Sequence, residues 1–586
     1  MRQWMVAAKK ADFYVIAEKF HVDPVVARII RNREVIGEKN IRIYLGGNLS
    51  DLSDPHQMKD MDRLVEILAQ KIRKQVHIRI IGDYDVDGVT SSHLFLTALR
   101  RVGAKVDVVI PHRIQDGYGL SLHLLQQAKE DGVDTILTCD NGIAAIDEIA
   151  WAKAQKMTVL VTDHHAVPFE EHEGRRTEKK SLADAVVNPH QQDCGYPYKE
   201  LCGAGVAWNV IRVLYENYDM DKREAEDLLD FVAMATVCDV MSLTGENRIL
   251  VKEGLKRIRH TKNIGLQALM QACNVQPENI SAYHFGYVLG PCVNATGRLD
   301  TARHALRLFE TGQETEAEEI ARDLVDLNQG RKELTLQGVE MAKKLCEEGG
   351  YENDPVLVLF LPDVHESIAG LIAGRIREMY NRPVFVLTRG EEGVKGSGRS
   401  TENYSMYENM CGCAELFTKF GGHPMAAGLS LPEENVEKFR RKINENCPLT
   451  VEEVCPDIHI DMAMPVGYAS TELVHQFALL EPFGKDNPSP LFADRNLSIS
   501  RMWLIGKNRN VLRMSVLSEY GQPVPVIFFG DVETLFAYFT EKFGQKEVEN
   551  ALHGRKNRIL FSMVYTAKID FYQGNENLQL EMKYYR

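Results

Sequence analysis

The sequence predicts an α/β protein that consists of a doubly wound parallel sheet, a second α/β domain joined to it by long helices, and a C-terminal β-barrel. Three observations predict this fold class. Short apolar runs alternate with helix-spaced segments from residue 77 to residue 162, the alternation returns after residue 354, and short strands alone follow residue 454. Strands that alternate with helices pair in parallel, because each helix has to cross back over the sheet.

The composition bounds the class of protein. The 586 residues, 44% of them hydrophobic and 26% charged, are enough for about three or four globular domains. We expect a cytoplasmic protein without a membrane partner, because the sequence shows no secretion signal and no run long enough to span a bilayer. The eleven cysteines include no C-x-x-C pair, so we expect free thiols. A net charge of −14 does not exclude nucleic acid, since a binding groove needs only local positive charge.

The first 60 residues carry short helical patterns and indicate no chemistry by themselves. The alternation that follows predicts strands at 77–82, 106–110, 135–138 and 158–162, with helices at 89–101, 121–129 and 143–154 between them. We place this first domain at residues 61–300, and we expect long helices at 301–350 to lead from it to the second α/β domain.

Acidic and imidazole side chains follow three of these strands. They are Asp83, Asp85 and Asp87 after the first strand, Asp140 after the third, and Asp163, His164 and His165 after the fourth. Ligands of a doubly wound sheet bind beyond the carboxyl ends of its strands. We therefore expect these groups to meet at one edge of the sheet.

Closely spaced carboxylates repel one another, and a divalent cation removes that repulsion. Mg2+ and Mn2+ take carboxylate and imidazole ligands, so the pattern indicates a metal site. A solvated acidic turn is the alternative; a calcium-binding EF-hand loop is disfavoured, because its twelfth position, counted from Asp83, is Leu94 instead of Glu. Asp239 follows the apolar segment 231–238 and is either a further ligand or an acid at the end of a helix.

The second α/β domain, which we place at residues 351–450, begins with a strand at 356–361, a helix at 366–379 and a strand at 384–387. Two glycine-rich stretches, 396–400 and 421–428, contain Arg399, Ser400 and His423. Glycines let backbone N–H groups approach an oxyanion, and arginine offers phosphate two parallel donors. These stretches are candidates for phosphate binding, with ordinary glycine-rich turns as the alternative.

Residues 451–586 are predicted to form a small antiparallel barrel with strands at 458–460, 497–499, 511–516, 524–529, 559–564 and 578–582. Trp503 lies in a stretch of basic residues without intervening acids, namely Arg495, Arg501, Lys507, Arg509 and Arg513. A stacking ring among cations is typical of a surface that binds single-stranded nucleic acid, and a solvated basic face is the alternative.

Together these motifs resemble the DHH phosphoesterase superfamily and, within it, the RecJ family of single-strand DNA exonucleases. The resemblance covers nearly the whole chain. Its metal motifs are 83–88, 138–142, 163–165 and Asp239, its substrate motifs are 396–400 and 421–423, and the stretch 480–488 is similar to the start of an OB-type domain. Lesser blocks are similar at Arg113 with 117–119, at 188–189 and at 294–298.

The resemblance implies a DHH catalytic domain, a DHHA1-type substrate-binding domain and an OB-type nucleic-acid-binding domain. It also implies two Mn2+ or Mg2+ ions, with Asp83 and Asp85 on one ion, with Asp87, His164 and Asp239 on the other, and with Asp140 bridging the two. Asp163 would orient a histidine, and His165 would contact the scissile phosphate. The implied substrate-binding residues are Arg113, Tyr118, Asn294, Arg298, Arg399, Ser400 and His423, and the basic surroundings of Trp503 add that residue to the candidates.

The implied function is 5′-to-3′ hydrolysis of single-stranded DNA to mononucleotides in DNA repair and recombination, by a monomer that works with a RecQ-type helicase and a single-strand-binding protein. Two alternatives stay open: a phosphodiesterase of the same superfamily that cuts short oligonucleotides or cyclic dinucleotides, and a catalytically inactive scaffold that binds single strands. Relatives that cut short substrates place a histidine where this chain has Ile81. Cys292 stands where the family often has arginine, which puts one phosphate contact in question.

Overall fold

The computed structural model describes residues 3–112, 119–172, 175–299, 302–390, 393–455, 457–506, 509–572 and 574–586. The chain forms two compact units. The first is built mainly from Leu52–Met241 and Ile249–Pro456, and the second from Gln3–Asp51, Ser242–Arg248 and Asp457–Arg586. Within the described ranges, no helix is both long enough and apolar enough to cross a membrane.

The N-terminal segment belongs to the second unit. Its elements are β1 (Trp4–Val6), α1 (Phe13–Phe20), α2 (Pro24–Asn32) and α3 (Glu38–Gly46). The carboxylates of Asp12 and Asp23 accept backbone N–H groups in the first turns of α1 and α2, which fixes where both helices begin.

The first unit contains the predicted doubly wound sheet. Its elements are α4 (Met61–Arg73), β2 (Ile78–Ile81), α5 (Val86–Arg101), β3 (Val106–Val109), α6 (Leu122–Glu130), β4 (Thr135–Cys139), α7 (Ile146–Ala154), β5 (Thr158–Thr162), the hairpin β6 (Phe169–His172) and β7 (Arg175–Glu178), and β8 (Ala185–Val187). The sheet has the order β3-β2-β4-β5-β8, and all its strands are parallel. Helices α6 and α7 bury one face of the sheet, and α5 and α8, described below, pack on its strands as well.

Helix α5 begins three residues earlier than the sequence pattern predicts. The Asp85 carboxylate accepts the N–H of Gly88 at 3.0 Å and caps the helix, so Asp87 lies in the first helical turn instead of in the preceding loop. The other predicted helices and strands of this sheet agree with the structure to within about three residues, the usual uncertainty at element ends.

A helical region follows the parallel sheet. It contains α8 (Gly203–Asn217), α9 (Lys222–Glu226), α10 (Leu229–Cys238), α11 (Gly245–Ile258), α12 (Ile264–Ala272), α13 (Ala282–His284), a π-helical turn at Phe285–Leu289, α14 (Gly290–Leu299), α15 (Ala302–Glu310) and α16 (Glu314–Glu348). The predicted connecting helices are α15 and α16. Helix α16 packs against α12 and α14 at one end and against the second sheet's first helix at the other.

The second sheet is mixed. Its elements are β9 (Leu357–Phe360), α17 (Glu366–Tyr380), β10 (Val384–Gly390), β11 (Gly393–Arg399), α18 (Met406–Cys411), β12 (Lys419–Gly422), β13 (Ala426–Leu431) and α19 (Val436–Glu445), and the sheet order is β12-β13-β11-β10-β9. Only β9 and β10 are parallel. The glycine-rich stretches therefore lie largely on strands, where the missing Cβ atoms admit side chains of neighbouring strands: a Cβ at Gly396 would lie 2.4 Å from Leu387.

The C-terminal part of the second unit is a closed barrel. Its elements are β15 (Met462–Ala463), α20 (Thr471–Phe477), β16 (Phe492–Ile505), β17 (Val511–Leu517), β18 (Pro523–Phe528), α21 (Val532–Phe543), α22 (Gln545–Leu552), β19 (Leu560–Tyr572) and β20 (Asn575–Tyr585). The strand predicted at 458–460 is present as β14 (Ile458–Ile460), but it pairs in parallel with β1 in a separate two-stranded sheet and is not part of the barrel. Strand β16 pairs with both β17 and β19 and closes the barrel. The pairing of β18 with β20 is parallel, so the prediction of a wholly antiparallel barrel is wrong on this point.

Candidate metal centre and substrate-binding residues

Hydrogen bonds from Asn141 connect the carboxyl ends of β2 and β4, next to the acidic side chains. The side-chain amide of Asn141 donates to the carbonyl oxygens of Ile81 at 3.0 Å and of Cys139 at 2.9 Å. Asp140, one residue earlier, has a φ of 62°, a left-handed conformation that is uncommon for a residue with a Cβ. Residues in such sparsely populated backbone conformations cluster at functional sites.

One candidate metal group consists of Asp83, Asp85 and Asp140, which offer carboxylate oxygens within 4.8 Å of one another. Burial and the neighbouring charge of Asp85 raise the pKa of Asp83 well above its usual value. Burial, followed by the charges of Asp87 and Asp85, does the same to the pKa of Asp140. Carboxylates this close and this buried resist ionisation unless a cation joins them.

A second candidate group consists of Asp87, His164 and Asp239. Nε2 of His164 lies 3.6 Å from Oδ2 of Asp87 and 3.6 Å from Oδ2 of Asp239. Asp239 is the residue at the carboxyl end of α10, where the helix dipole is negative and a carboxylate is disfavoured. A cation bound by this group would offset that penalty. If Asp239 were simply an acid at the end of a helix, its unfavourable position would have no explanation.

Asp87 is held by the amino end of α8. Its two carboxylate oxygens accept the N–H groups of Gly203 at 2.6 Å and of Ala204 at 2.7 Å. The free N–H groups at a helix amino terminus are natural partners of an anion. Glycine is required at this point, because a Cβ at Gly203 would lie 2.6 Å from the Cβ of Asp140. Helix α8 thus positions an acid from each candidate group.

The two groups meet at Asp140 and His164, whose Oδ1 and Nε2 atoms lie 3.0 Å apart, and these two residues form a third candidate group with His165. The contact does not have the geometry of a hydrogen bond, and Nε2 of His164, like Oδ1 of Asp83, is buried without a hydrogen-bond partner among the described residues. Burial, with the nearby charge of His165, also lowers the pKa of His164, so its ring is neutral and able to ligate. Buried polar atoms without partners are expensive, and a divalent cation at each group would satisfy both.

Asp163 points toward a histidine instead of toward either group. Its Oδ1 accepts the N–H of His164 at 2.7 Å and Nδ1–H of His165 at 2.7 Å, and its Oδ2 accepts the N–H of Ile143 at 2.9 Å. Burial would lower the pKa of His165, but the hydrogen bond and charge of Asp163 outweigh it and raise that pKa to about 9. The His165 ring, 41% exposed, is therefore a cation at neutral pH beside the metal groups.

Asn294 joins α14 to the acidic loop. Its Oδ1 accepts the N–H of Val86 at 3.2 Å, so this side chain supports the start of α5, where Asp85 caps the helix and Asp87 lies in the first turn. Arg298 lies on the same helix, and its side chain is outside the described residues, as are Arg113, Tyr118 and Lys507. The Cys292 thiol donates to the carbonyl of Val288 and is buried, so it packs inside the helical region.

The predicted phosphate-binding residues of the second sheet differ in their surroundings. A guanidinium N–H of Arg399 donates to the Gly398 carbonyl at 2.7 Å, and the group lies beside Gly370 of α17. Ser400 is fully buried, and its hydroxyl donates to the Tyr404 carbonyl at 2.6 Å, which makes it a support for the β11 end in this conformation. His423 is exposed in the turn between β12 and β13.

Trp503 lies on β16 of the barrel, half-buried between two arginines. The guanidinium carbons of Arg501 and Arg513 lie 5.7 Å and 6.0 Å from the centre of its ring. Arg513 lies on the adjacent strand β17, directly opposite Trp503. The arrangement combines an aromatic face with positive charge.

Two contributions to the site were not predicted. The N–H groups of Gly203 and Ala204 have a recognisable sequence pattern, Cys202-Gly-Ala-Gly before an apolar helical stretch, which is typical of an anion-binding helix start. The role of Asn141 has no such pattern, because only the adjacency of β2 and β4 brings the Ile81 carbonyl within its reach.

The parallel sheet with acids and imidazoles at its carboxyl edge, followed in the same unit by a second, mixed sheet of five strands, defines a DHH-type protein. Residues 77–236 match the DHH family N-terminal domain, residues 353–447 the DHHA1 domain, and residues 460–584 the RecJ OB domain. The chain belongs to the RecJ family.

Individual relatives agree with this assignment. The chain is 32% identical over 582 residues to the single-stranded-DNA-specific exonuclease RecJ of Haemophilus influenzae, a match that covers 96% of each protein. It is also 32% identical over 511 residues to RecJ of Bacillus subtilis, covering 86% of this chain and 63% of that protein. The crystal structure of RecJ in complex with Mn2+ from Thermus thermophilus aligns with a TM-score of 0.81 at 25% identity, covering all of this chain and 79% of that one.

Proposed function

We propose that this protein is a divalent-metal-dependent exonuclease that hydrolyses single-stranded DNA from its 5′ end and releases 5′-mononucleotides during DNA repair and recombination. The observation that carries the proposal is the pair of carboxylate and imidazole groups that meet at Asp140 and His164. Family membership supports the choice of single-stranded DNA as substrate, since the relatives are named exonucleases specific for it.

We propose a ligand assignment that agrees with two of the candidate groups. Asp83 and Asp85 would hold one Mn2+ or Mg2+ ion, Asp87, His164 and Asp239 would hold the other, and Asp140 would contribute to both. The Mn2+ named in the Thermus thermophilus structure supports this choice of metal. Two such ions, when bound, make a nucleophile from water at neutral pH and stabilise charge on the phosphate.

The protein's own residues orient the substrate. Nδ1 of His165 donates to Asp163, so the Nε2–H of this cationic ring is the donor that can reach an oxygen of the scissile phosphate. The amino end of α8 holds Asp87 in place, and Asn294 holds the loop that precedes it. Arg399 and His423 are proposed to bind the strand from the second sheet with Ser400 supporting them, and Trp503 to stack with a base. Arg113, Tyr118 and Arg298 complete the proposed substrate-binding set by family resemblance.

Partners, cellular location and oligomeric state belong to the same proposal. We propose that the protein acts as a monomer. An enzyme confined to single strands requires duplex DNA to be opened and kept open, which supports work beside a RecQ-type helicase and a single-strand-binding protein in the cytoplasm.

The decisive experiment follows Mn2+-dependent degradation of a long, 5′-labelled single strand, its duplex and a dinucleotide, by the wild type and Asp140→Ala. We expect rapid release of labelled mononucleotide from the single strand alone, and its loss in the variant. Cleavage confined to the dinucleotide would favour a short-substrate phosphodiesterase. Tight binding of the single strand without cleavage by either protein would favour an inactive scaffold.

A further inference from the structure

Two tyrosines form an exposed stacked pair that none of the site residues above explains. Tyr283 is 62% exposed and Tyr287 is 71% exposed, and their ring centres lie 5.1 Å apart with an angle of 24° between the planes. Aromatic rings normally bury most of their surface. A pair that stacks with itself while its outer faces meet solvent is ready to receive another flat group.

The helical segment that carries the pair is anchored at both ends. Ser281 and His284 cap each other at the start of α13, with the Ser281 N–H donating to Nδ1 of His284 at 3.2 Å. The His284 ring meets the Tyr283 ring edge-on, 5.7 Å between centres, so Tyr283 is packed on two sides. The following π-helical turn anchors through Phe285 and Leu289, which are fully buried. The backbone beneath the two rings is therefore ordered before a ligand stacks on them.

The segment is also attached to the candidate metal centre from two directions. The Cys238 thiol, one residue before Asp239, donates to the Phe285 carbonyl at 3.3 Å. The π-helical turn then continues directly into α14, whose Asn294 accepts the N–H of Val86 at the start of α5. Single π-helical turns are rare and occur frequently at functional sites. The tyrosine pair is therefore built into the same framework that positions the proposed metal ligands.

We propose that Tyr283 and Tyr287 form a stacking platform for nucleobases of the single strand on its way to the metal centre. The proposal rests on the proposed function and assigns it a further substrate-binding surface. Every nucleobase presents a π-face, so a ring pair can grip a strand without regard to sequence, as an exonuclease requires. The exposed surface of two side chains is far smaller than the roughly 800 Å2 that each partner buries in a standard protein interface. The size of the pair therefore favours a base over a docked protein as its ligand.

The test compares Tyr283→Ala/Tyr287→Ala with Tyr283→Phe/Tyr287→Phe, which keeps the rings. We expect the alanine pair to raise KM for single-stranded DNA about 5- to 150-fold, the range for losing one stacked base, with kcat within about twofold. The phenylalanine pair should resemble the wild type. Tyr14→Ala, which removes a 78% exposed tyrosine from α1, is the matched control.

An abasic scan separates stacking from a merely structural effect. Removing one base at a time from the substrate should weaken the wild type at one or two positions, and those penalties should vanish in the alanine pair. Equal penalties in both proteins, or an unchanged KM, would overturn the proposal. A changed sedimentation coefficient with unchanged KM would instead identify the pair as a protein contact.

A binding measurement distinguishes failure of this proposal from failure of the proposed function. Fluorescence anisotropy with labelled single-stranded DNA in EDTA reports binding without cleavage, and the alanine pair should bind about 5- to 150-fold more weakly. If the wild type binds through the pair but does not cleave, the exonuclease proposal fails and the platform stands. If cleavage is normal in every variant and affinity is unchanged, the platform fails alone; if the wild type neither binds nor cleaves single strands, both fail.

Discussion

Asp163→Asn tests whether Asp163 acts through His165 instead of binding metal. The substitution keeps the shape of the side chain and removes its charge. One carboxylate oxygen accepts two N–H groups and Nδ1–H of His165, and the other accepts the N–H of Ile143. An asparagine amide can turn only one of its two ends toward N–H donors, so at least one buried donor loses its acceptor.

The smaller loss arises when the new NH2 group faces Ile143. One buried N–H without an acceptor then costs about 1–3 kcal/mol. The His165 ring also loses its charged partner; because the ring is 41% exposed, solvent screening limits this part to about 1–2 kcal/mol. We therefore expect the variant to lose about 2–5 kcal/mol of unfolding free energy near pH 6.

The pH dependence has a definite sign. The pKa of His165 is raised to about 9 from the ordinary 6.5, so its stabilising effect is full below pH 6.5 and is lost as the pH rises through 9. The difference between wild type and variant should therefore narrow between those values. Urea unfolding of the metal-free proteins from pH 6 to pH 10 measures it, and an NMR titration should show the His165 pKa below 9 in the variant.

Activity provides the second half of the test. We expect kcat to fall, while the rise in melting temperature on adding Mn2+ is retained. His165→Gln is the matched control. The fall in log kcat of the double variant should be smaller than the sum of the falls in the two single variants, because both substitutions act on the same ring. Equal stability with an unchanged pH profile, or loss of the Mn2+ effect with His165 unaffected, would refute the positioning role of Asp163.

Three further predictions concern the metal centre and the barrel. Mn2+ at about 100 times its Kd should stabilise the wild type by about 2.7 kcal/mol in thermal unfolding and should not stabilise Asp140→Ala. Burial and mutual repulsion raise the pKa values of Asp83, Asp85 and Asp140 above 3.8, so the metal-free protein loses stability as the pH rises through those values. The stabilisation by Mn2+ should therefore grow with pH. Gly203→Ala should abolish activity with the helical circular dichroism retained, since its Cβ would meet Asp140 at 2.6 Å, whereas Gly374→Ala, with open space around it on α17, should be neutral or stabilising by up to about 1 kcal/mol. Trp503→Ala should weaken single-strand binding in anisotropy by about 1–3 kcal/mol, and an unchanged affinity would exclude it as a stacking residue.

Much of the fold could be predicted because hydrophobic periodicity is a local property. The strands that end at Ile81, Cys139 and Thr162 are apolar runs of the right length, and parallel pairing follows from the helices between them. The start of α5 was placed too late, because a cap depends on where one side chain folds back. The parallel contact of β18 with β20 was missed, because nothing in either strand specifies its neighbour.

Local sequence patterns also could not predict which part of the chain packs against the N-terminal segment. Residues of α2 such as Val26 and Ile30 share one buried core with Phe492 and Tyr565 of the barrel, more than 400 residues later. An amphipathic helix shows that it has an apolar face, and its sequence does not say which surface covers that face.

By itself, the sequence determined which side chains could ligate metal, since the spacing of acids and imidazoles after successive strands depends only on chain order and on the rule that parallel strands end together. Only the tertiary structure decided how these groups divide. It placed the Asp140 carboxylate 3.0 Å from His164, aimed Asp163 at His165, set the amino end of α8 against Asp87, and stacked Tyr283 on Tyr287 at the surface. The physical reason is that ligation, hydrogen bonding and stacking depend on distances of a few ångströms between residues far apart in the chain, which packing fixes and local pattern does not.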